Sequence, residues 1–574
     1  MHLHPARFAL SCLGLAGAVL AQSRFDIEVV YTNTPGHPLN VVPGTGGLPF
    51  NVGTGTSSAF YRPVTDVVGM NLAIHAVAET AGTTDDEVLL LNNTLVLREG
   101  SPAPWNGGVD TIGFIDEDWG GVNVFGDLIY AGDTGAATTA DEQCAVFQGG
   151  VWTMLAREGD TTIAAQAPGL IGLQAVSAWG SSLSTARIVD TGEVLWLAAT
   201  LQGLTTGTAH DDVIVRPGGT SIQKTDKSQI PTGQAGGVTF AWETFDTGDV
   251  YLSSDGTVLM IQGDLYGPTT TDDVLVVNGA VVLQEGSVVP GSTFVEPIDA
   301  SGIVKGWVDR ANNWYARGNN DVTEQDWVVR NGVVVAISDA LQEIFPGAGE
   351  HWDDTGFSDC FFAFDGNQAG HYVIGGTTDA PADSNAVLVY YDGSGPAFVA
   401  VREGDPVDLD GNGLFDDDRF VSTFGNDDVQ LLTDGTIVFV CNLENGAGTA
   451  TDNVLLRLRP RTASCTLRNG SGINPVACTC VTLPVVGTNW QLDVSAGPNT
   501  LATFLFADPT PIPPFPIFGG ELLVAPTAFE IPSTIALPFA YSGLMFSVQG
   551  MRVDFDGVDI SLVLTNAQDA VLGN

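Results

Sequence analysis

Short apolar runs, broken by Gly and Asp, set the texture of this chain; long amphipathic stretches are absent. The most regular pattern opens on a turn, often Asp-x-Gly, and continues as a strand of alternating apolar residues. A polar loop ending in acidic or amide residues follows, and then a second strand. The clearest copies run from Asp190-Thr-Gly-Glu-Val-Leu-Trp to Asp212-Val-Ile-Val, from Asp255-Gly-Thr-Val-Leu-Met to Asp273-Val-Leu-Val, and from Asp434-Gly-Thr-Ile-Val-Phe to Asn453-Val-Leu-Leu. Weaker copies begin near Val68, Gly126, Asn312 and Ala369. Period-2 alternation bounded by turn residues is the signal of half-buried strands.

A hairpin turn and a third strand come next. In four copies this strand ends in Glu-Gly, at Glu99-Gly100, Glu158-Gly159, Glu285-Gly286 and Glu403-Gly404. The second strand recurs every roughly 53 to 68 residues, so each unit holds about four strands. An all-β chain of radially repeated four-stranded units predicts a β-propeller. Seven copies predict seven blades, with six blades or an open solenoid as the competing arrangements. The seventh copy lacks a third strand. Residues 25–31, Phe-Asp-Ile-Glu-Val-Val-Tyr, alternate as a strand and are expected to complete it, because pairing first and last strands removes exposed edges.

The texture changes at Cys465. The repeat stops, prolines cluster over 509–516, and strands such as Leu544-Met-Phe-Ser-Val alternate around turns. About 110 such residues suit a compact β-sandwich. The expected organisation is a leader over 1–21, a propeller-like domain over 22–460 and a sandwich over 461–574, with a linker near 457–461.

Residues 8–20 form an apolar run after Arg7, and Val19 and Ala21 fit a small-residue cleavage site, which predicts a secretory signal peptide. No later segment reaches the ~20 apolar residues of a spanning helix. Of seven cysteines, Cys12 lies in that leader. The six that remain favour disulfides in an exported chain: Cys465 with Cys478 or Cys480, and Cys360 with Cys441. The expected location is extracellular, cell-surface or periplasmic.

Net charge changes the picture further. The formal charge is −47, from 67 acidic and 20 basic residues, with lysine only at 224, 227 and 305. Such a field repels phosphate backbones, which argues against a nucleic-acid partner, and it favours divalent cations. A hydrophobic fraction of 44% excludes a disordered acidic tail.

The Glu-Gly-(Asp/Ser)-x-x-Pro turns after Val-Leu-(Leu/Val)-x-Asn strands resemble exported propeller-like repeat proteins of environmental bacteria. The segment from Cys465-Thr-Leu-Arg-Asn-Gly-Ser-Gly-Ile-Asn-Pro, with Gly487-Thr-Asn-Trp490 and Leu564-Thr-Asn-Ala-Gln-Asp, resembles a C-terminal domain attached to many of them. The third and fifth copies depart, with Gln223-Lys-Thr-Asp and Ala336-Ile-Ser-Asp in place of Glu-Gly. The resemblance implies fold and export, and it implies no activity.

Three features carry candidate chemistry. Asp408-Leu-Asp410-Gly-Asn412-Gly-Leu414-Phe-Asp416-Asp-Asp418 has the D-x-[DN]-x-[DN]-G spacing of a calcium loop. Asp408, Asp410, Asn412, Leu414 (by its carbonyl), Asp416 and Asp418 are the expected ligands. Asp417 competes with Asp418, because Arg419 stands where a bidentate Glu is usual. Secondly, Trp119, Trp179, Trp242, Trp307 and Trp352 recur after the third-strand turn beside acidic residues. Exposed, they would form a sugar-stacking platform; buried, they would wedge between repeats, the favoured reading. Thirdly, the Glu-Gly carboxylates could form a ring, although repetition points to hydrogen bonding within the turn.

Catalytic motifs are missing: there is no Gly-x-Ser-x-Gly, His-Glu-x-x-His or phosphate loop. The densest polar cluster is His351 with Glu350, Asp353 and Asp354. The expected function is non-catalytic binding or scaffolding at the cell surface or in its matrix, with glycans or surface components as partners and calcium as a structural ion. The alternative is a carbohydrate-active hydrolase or lyase with a site at the propeller centre.

Overall fold

The computed structural model describes residues 25–573 except 52–58, 83, 116–119, 238, 247, 290–295, 321–324, 340, 354–358, 392–396, 413–414, 487, 510, 526–527 and 538–542. The leader, Trp119, Leu414 and Asp354 therefore lie outside the described residues. The chain divides into two compact units. One comprises Glu28–Tyr390 and Arg402–Arg457; the other holds the described residues of 458–574, of the segment 391–401 and of the chain start up to Ile27.

Antiparallel sheets dominate, and the first six are meanders of consecutive strands. The first joins Phe60–Thr65, Leu72–Val77, Glu87–Leu91 and Thr94–Arg98. A second has three described strands, Leu128–Asp133, Glu142–Gln148 and Val151–Arg157. The third and fourth begin with Ser182–Ile188 and Val250–Leu252. The fifth and sixth begin with Ile298–Val308 and Phe361–Gly366. A seventh runs Phe420–Leu431, Ile437–Glu444 and Ala450–Pro460, and its fourth strand is Phe25–Thr32 from the chain start. Asn33 N–H donates to the Asn453 carbonyl at 3.1 Å and extends that pairing.

The hairpins explain why each sheet turns where it does. Asn92-Asn93, Asn278-Gly279 and Asn331-Gly332 all sit at positive φ, the geometry of tight two-residue hairpins, which Asn and Gly tolerate best. Each first Asn reaches back across the sheet: Asn92, Asn278 and Asn331 Oδ1 accept from Leu72, Leu259 and Trp314 N–H at 2.9, 2.9 and 3.0 Å. Each hairpin is thereby tied to the first residue of the strand beside it.

Successive sheets bury their faces on one another. Leu89 and Leu97 of the first sheet share a core with Leu128 and Tyr130 of the second. Leu195 and Ile214 of the third meet Ile261 and Val274 of the fourth. Tyr315 of the fifth stacks on Phe364 of the sixth at 5.5 Å, and Phe362 of the sixth on Phe424 of the seventh at 5.3 Å. Leu432 and Val438 of the seventh then pack with Leu72 and Ile74 of the first.

The Glu-Gly turns join these neighbours. Gly100, Gly159, Gly286 and Gly404 have φ of 70 to 84°, which excludes most side chains. Their N–H groups donate to carbonyls of the segment entering the next sheet, at Ile112, Trp179, Ile298 and Val421. The Glu99, Glu285 and Glu403 carboxyls accept from the N–H of Asp86, Asp273 and Ala386 at 3.3 to 3.4 Å. These three carboxyls therefore bond within their own turns. In the third sheet Lys224 occupies the Glu position, its N–H bonding Asp212 as Glu99 N–H bonds Glu87. The charge is reversed, and Lys224 Nζ pairs with Asp211 at 2.5 Å and Asp212 at 3.2 Å.

In the C-terminal unit a five-stranded sheet includes Ser464–Arg468, Thr500–Asp508, Met545–Phe555 and Ile560–Val571. A three-stranded sheet includes Cys478–Cys480 and Asn489–Val494. Trp490, Leu492, Leu505 and Val548 fill the core. Asn566, buried, accepts from Ala477 and Cys478 N–H at 2.8 Å each and donates to the Cys478 carbonyl, which holds the cysteine segment in place. Of the two pairings expected for Cys465, the disulfide forms with Cys480. The expected Cys360–Cys441 bridge is not formed: both are buried thiols, and Cys360 Sγ donates to the Thr377 carbonyl at 3.4 Å. These two cysteines fill apolar space on separate sheets and do not staple them.

Candidate functional site: a cavity between the first strands

The first strand of several sheets carries a β-bulge. The register slips between Tyr61 and Val64, between Ser184 and Arg187, between Ile298 and Lys305, and between Phe424 and Val429. A bulge adds a residue to one strand and re-aims the side chains around it. Arg62 and Asp427 sit within two of these bulges at φ of 39 and 57°, unusual for residues with a Cβ.

Pairing to the second strand places Val64, Arg187, Tyr251, Trp307, Asp365 and Gln430 at equivalent positions, each one residue before its strand's last pair. The same structural slot thus holds a different side chain in each sheet. All of these except Asp365 line a cavity of about 130 Å³, together with Arg62, Lys305, Arg310 and the carboxylates of Asp66, Asp190, Asp309 and Asp427.

Arg310 closes one side of it. This side chain, only 8% exposed, pairs with Asp365 at 2.5 Å and donates to Gln430 Oε1 at 2.5 Å, to the Leu431 carbonyl at 3.1 Å and to Thr65 Oγ1. One guanidinium from the fifth sheet therefore ties the first strands of the first, sixth and seventh. A buried ion pair repays its desolvation only when the remaining donors and acceptors are also met, and here Trp307 Nε1 (3.0 Å) and Leu431 N–H (2.6 Å) complete the Asp365 carboxylate.

On the other side Tyr251 and Trp307 meet edge-to-face, with ring centres 4.8 Å apart. Arg187 lies 4.8 Å and Lys305 Nζ 5.7 Å from the Tyr251 ring centre. Lys305 also pairs with Asp249 at 2.7 Å. Burial pushes the Tyr251 hydroxyl up, against the pull of Lys305, Arg187 and Arg62. For Lys305 burial acts downward, but Tyr251, Asp249 and Asp427 outweigh it and raise the ammonium. The cavity thus gathers four of the chain's 20 basic residues.

The carboxylates around it are largely occupied. Asp66 accepts from Val68, Met70 and Asn71 N–H in its own turn. Asp309 does the same for Ala311 and Asn313. Asp427 pairs with Arg317 at 3.2 Å, and Asp190 accepts from Val124 N–H at 3.1 Å.

The tryptophans expected to form one group separate here. Trp179, Trp242 and Trp352 are buried and offer no ring face to solvent. Trp179 wedges between the second and third sheets, its Nε1 donating to Gln166 at 2.5 Å, and Trp242 between the third and fourth. Among the four described, Trp307 alone lines the cavity. Sequence reasoning named that residue but missed Arg62, Arg187, Tyr251, Lys305 and Arg310. For the four basic residues the available signal was their scarcity and their place within four positions of the turn aspartates Asp66, Asp190 and Asp309.

In the acidic loop, carboxylate oxygens of Asp408, Asp410 and Asp417 lie within 4.8 Å of one another and could hold a metal ion. Asn412 joins this group through its N–H, which donates to Asp408 and Asp410 at 3.1 and 3.0 Å. Asp416 is 3.5 Å from Asn412 Nδ2. Asp418, at a left-handed φ of 53°, accepts from Gly446 N–H at 2.9 Å, while Asp417 stands with Asp408 and Asp410. The His351 cluster resolves into two pairs, His351–Asp379 at 2.8 Å and Arg402–Glu350 at 2.6 Å.

No family model and no curated protein matches the chain. Among solved structures, prolyl oligopeptidase B from Galerina marginata, bound to a 35mer hydrolysis and macrocyclization substrate, aligns at 9% identity and TM-score 0.29, over 68% of this chain and 46% of that enzyme. Trypanosoma rangeli sialidase aligns at 10% identity and TM-score 0.28 over 95% of each chain. Its complex with 2,3-difluoro-KDN aligns at 8% identity and TM-score 0.27, over 96% and 92%. At TM-scores this low the likeness says nothing about activity.

Proposed function

We propose that this chain is an exported, non-catalytic binding protein whose seven sheets are the blades of a β-propeller, with its ligand in the cavity between their first strands. The cavity wall carries this reading: one register slot, repeated from sheet to sheet, presents a different polar or aromatic group each time. Heterogeneity at one slot suits recognition of an asymmetric ligand, whereas a purely structural ring would tolerate one residue throughout. The packing of each sheet on the next, of the seventh on the first, and the position of Phe25–Thr32 at the edge of the seventh support a closed ring without free edges. Residues 22–460 would form the propeller and 461–574 the sandwich.

Export to the cell surface, the surrounding matrix or the periplasm is supported by the Cys465–Cys480 disulfide. Among the described residues no helix is long and apolar enough to cross a membrane. A glycan or another cell-surface component is the favoured partner, because aromatic faces beside polar groups suit sugar rings. Calcium at Asp408, Asp410 and Asp417 would clip the acidic loop. The enzymatic reading, a hydrolase or lyase in the same cavity, requires a carboxyl pair facing the substrate. The carboxylates lining the cavity are instead bonded to turns and to Arg317, which favours binding over turnover.

A glycan array probed with the full chain and with Trp307→Phe tests this. Array signals that Trp307→Phe abolishes would support the cavity as the site. Signals that survive would put the ligand elsewhere, and release of reducing sugar from bound glycans would establish the enzymatic reading.

A further inference from the structure

Building on the cavity reading above, we infer that the ligand is a saccharide bearing a carboxylate, received by Arg187 and the Tyr251 hydroxyl. The chain carries 67 acidic residues against 20 basic ones, so a cation with no internal anion beside it is rare. Arg310 is neutralised by Asp365, and Lys305 is paired with Asp249. Arg187 differs. Its Nη1 and Nη2 donate to the backbone carbonyls of Ala186 and Gly248 at 2.9 and 3.3 Å, and no carboxylate among the described residues reaches ion-pair distance. Neutral carbonyls orient a guanidinium and leave its charge in place.

Tyr251 supplies a second, independent sign. It is 4% exposed, and it lines the cavity. Its ring meets the Trp307 ring and carries two cations over its face, and its hydroxyl has no hydrogen-bond partner among the described residues. A hydroxyl on a cavity wall without an internal partner is free to donate to a bound acceptor. The Arg187 guanidinium lies 4.8 Å from the Tyr251 ring centre, and both side chains line the cavity, so two adjacent sheets present donors to one volume. A carboxylate accepts both, through charge-assisted bonds stronger than those to a neutral hydroxyl. Lys305 and Arg62 add positive potential beside them. The Trp307 ring on the same wall supplies the apolar face that a sugar ring requires. A cavity of about 130 Å³ admits one ring and no extended run of them.

The test is isothermal titration of the full chain with galacturonic acid, galactose and inorganic phosphate. Galacturonic acid should bind at least ~10-fold more tightly than galactose, a difference of about 1.4 kcal/mol. Arg187→Met should weaken galacturonic acid ~10- to 100-fold and galactose much less. Tyr251→Phe removes one oxygen only and should weaken it several-fold, which keeps the test readable if Arg187→Met lowers the folded fraction. Equal binding of galactose and galacturonic acid, lost in Trp307→Phe, would overturn the anionic ligand and leave the cavity reading standing. Phosphate binding as tightly as galacturonic acid would overturn the saccharide. Galacturonic acid binding that both variants keep would overturn the assigned residues, and silence towards all three probes would overturn the inference together with the cavity reading.

Discussion

His75 offers a sharp test of how this fold treats a buried ionisable group. It lies in the middle of Leu72–Val77, 3% exposed, against the Tyr61 ring with centres 5.2 Å apart. Neither ring nitrogen has a hydrogen-bond partner among the described residues. Burial alone pushes the imidazole down to about 4, whereas an unfolded histidine titrates near ~6.5. At about pH 7 the ring is neutral in both states and linkage contributes almost nothing. Below ~6.5 the unfolded chain takes up a proton that the folded chain refuses, so stability falls with pH. Integrating over the two values gives a loss of about 2 kcal/mol at pH 5 and about 3 kcal/mol at pH 4. That is a large share of the ~5–15 kcal/mol that holds a typical domain together. The assay is urea denaturation of the wild type and of His75→Leu, which keeps the volume and removes the titration, at about pH 7, 5 and 4. Other carboxylates titrate in this window, so the difference between the two proteins isolates His75. The variant should gain on the wild type by about 2 and then 3 kcal/mol as pH falls. A difference that stays flat from pH 7 to 4 would refute the reasoning, because it would mean that the folded imidazole is as easily protonated as the unfolded one.

Acidic clusters push the other way. Burial, with Asp246, Asp264 and Glu285 nearby, raises Asp273 to about 8, so its contribution is present below ~4 and is lost as pH rises through about 8. Its contribution to the melting temperature should therefore fall between about pH 4 and 8, and Asp273→Asn should flatten that slope, as differential scanning calorimetry would show. Deleting residues 22–33 removes the outer strand of the seventh sheet and Tyr31 from its core, and should lower the melting temperature by ~10 °C or more; an unchanged melt would sink the closing role of that strand. For the metal loop, Asp408→Ala with Asp410→Ala should abolish calcium uptake in isothermal titration; uptake that persists would move the site elsewhere.

The sequence by itself determined the strands, the turns and the order in which they recur. Those features depend on local physics: alternation sets which face is apolar, and Asn-Gly and Glu-Gly mark positions where φ must be positive. The copies resemble one another because each sheet needs the same hairpin and the same turn onto its neighbour, at Gly100, Gly159, Gly286 and Gly404. Spacing leaves Cys478 and Cys480 as partners for Cys465; both share one strand, and the fold buries Cys478 as a free thiol while Cys480 meets Cys465. In the acidic loop the spacing found the motif, but only the backbone turn at Asp418 showed that Asp417 faces Asp408 and Asp410.

The cavity belongs to tertiary structure alone. Its residues sit on first strands whose bulges break the period-2 signal, so alternation is lost where the chemistry is gathered. Self-comparison fails there for a second reason: Val64, Arg187, Tyr251, Trp307, Asp365 and Gln430 share one structural slot and no chemical likeness. Positions that serve the fold repeat because the fold repeats. Positions that surround a single volume differ because each meets that volume from its own direction, and only the assembled sheets bring them face to face.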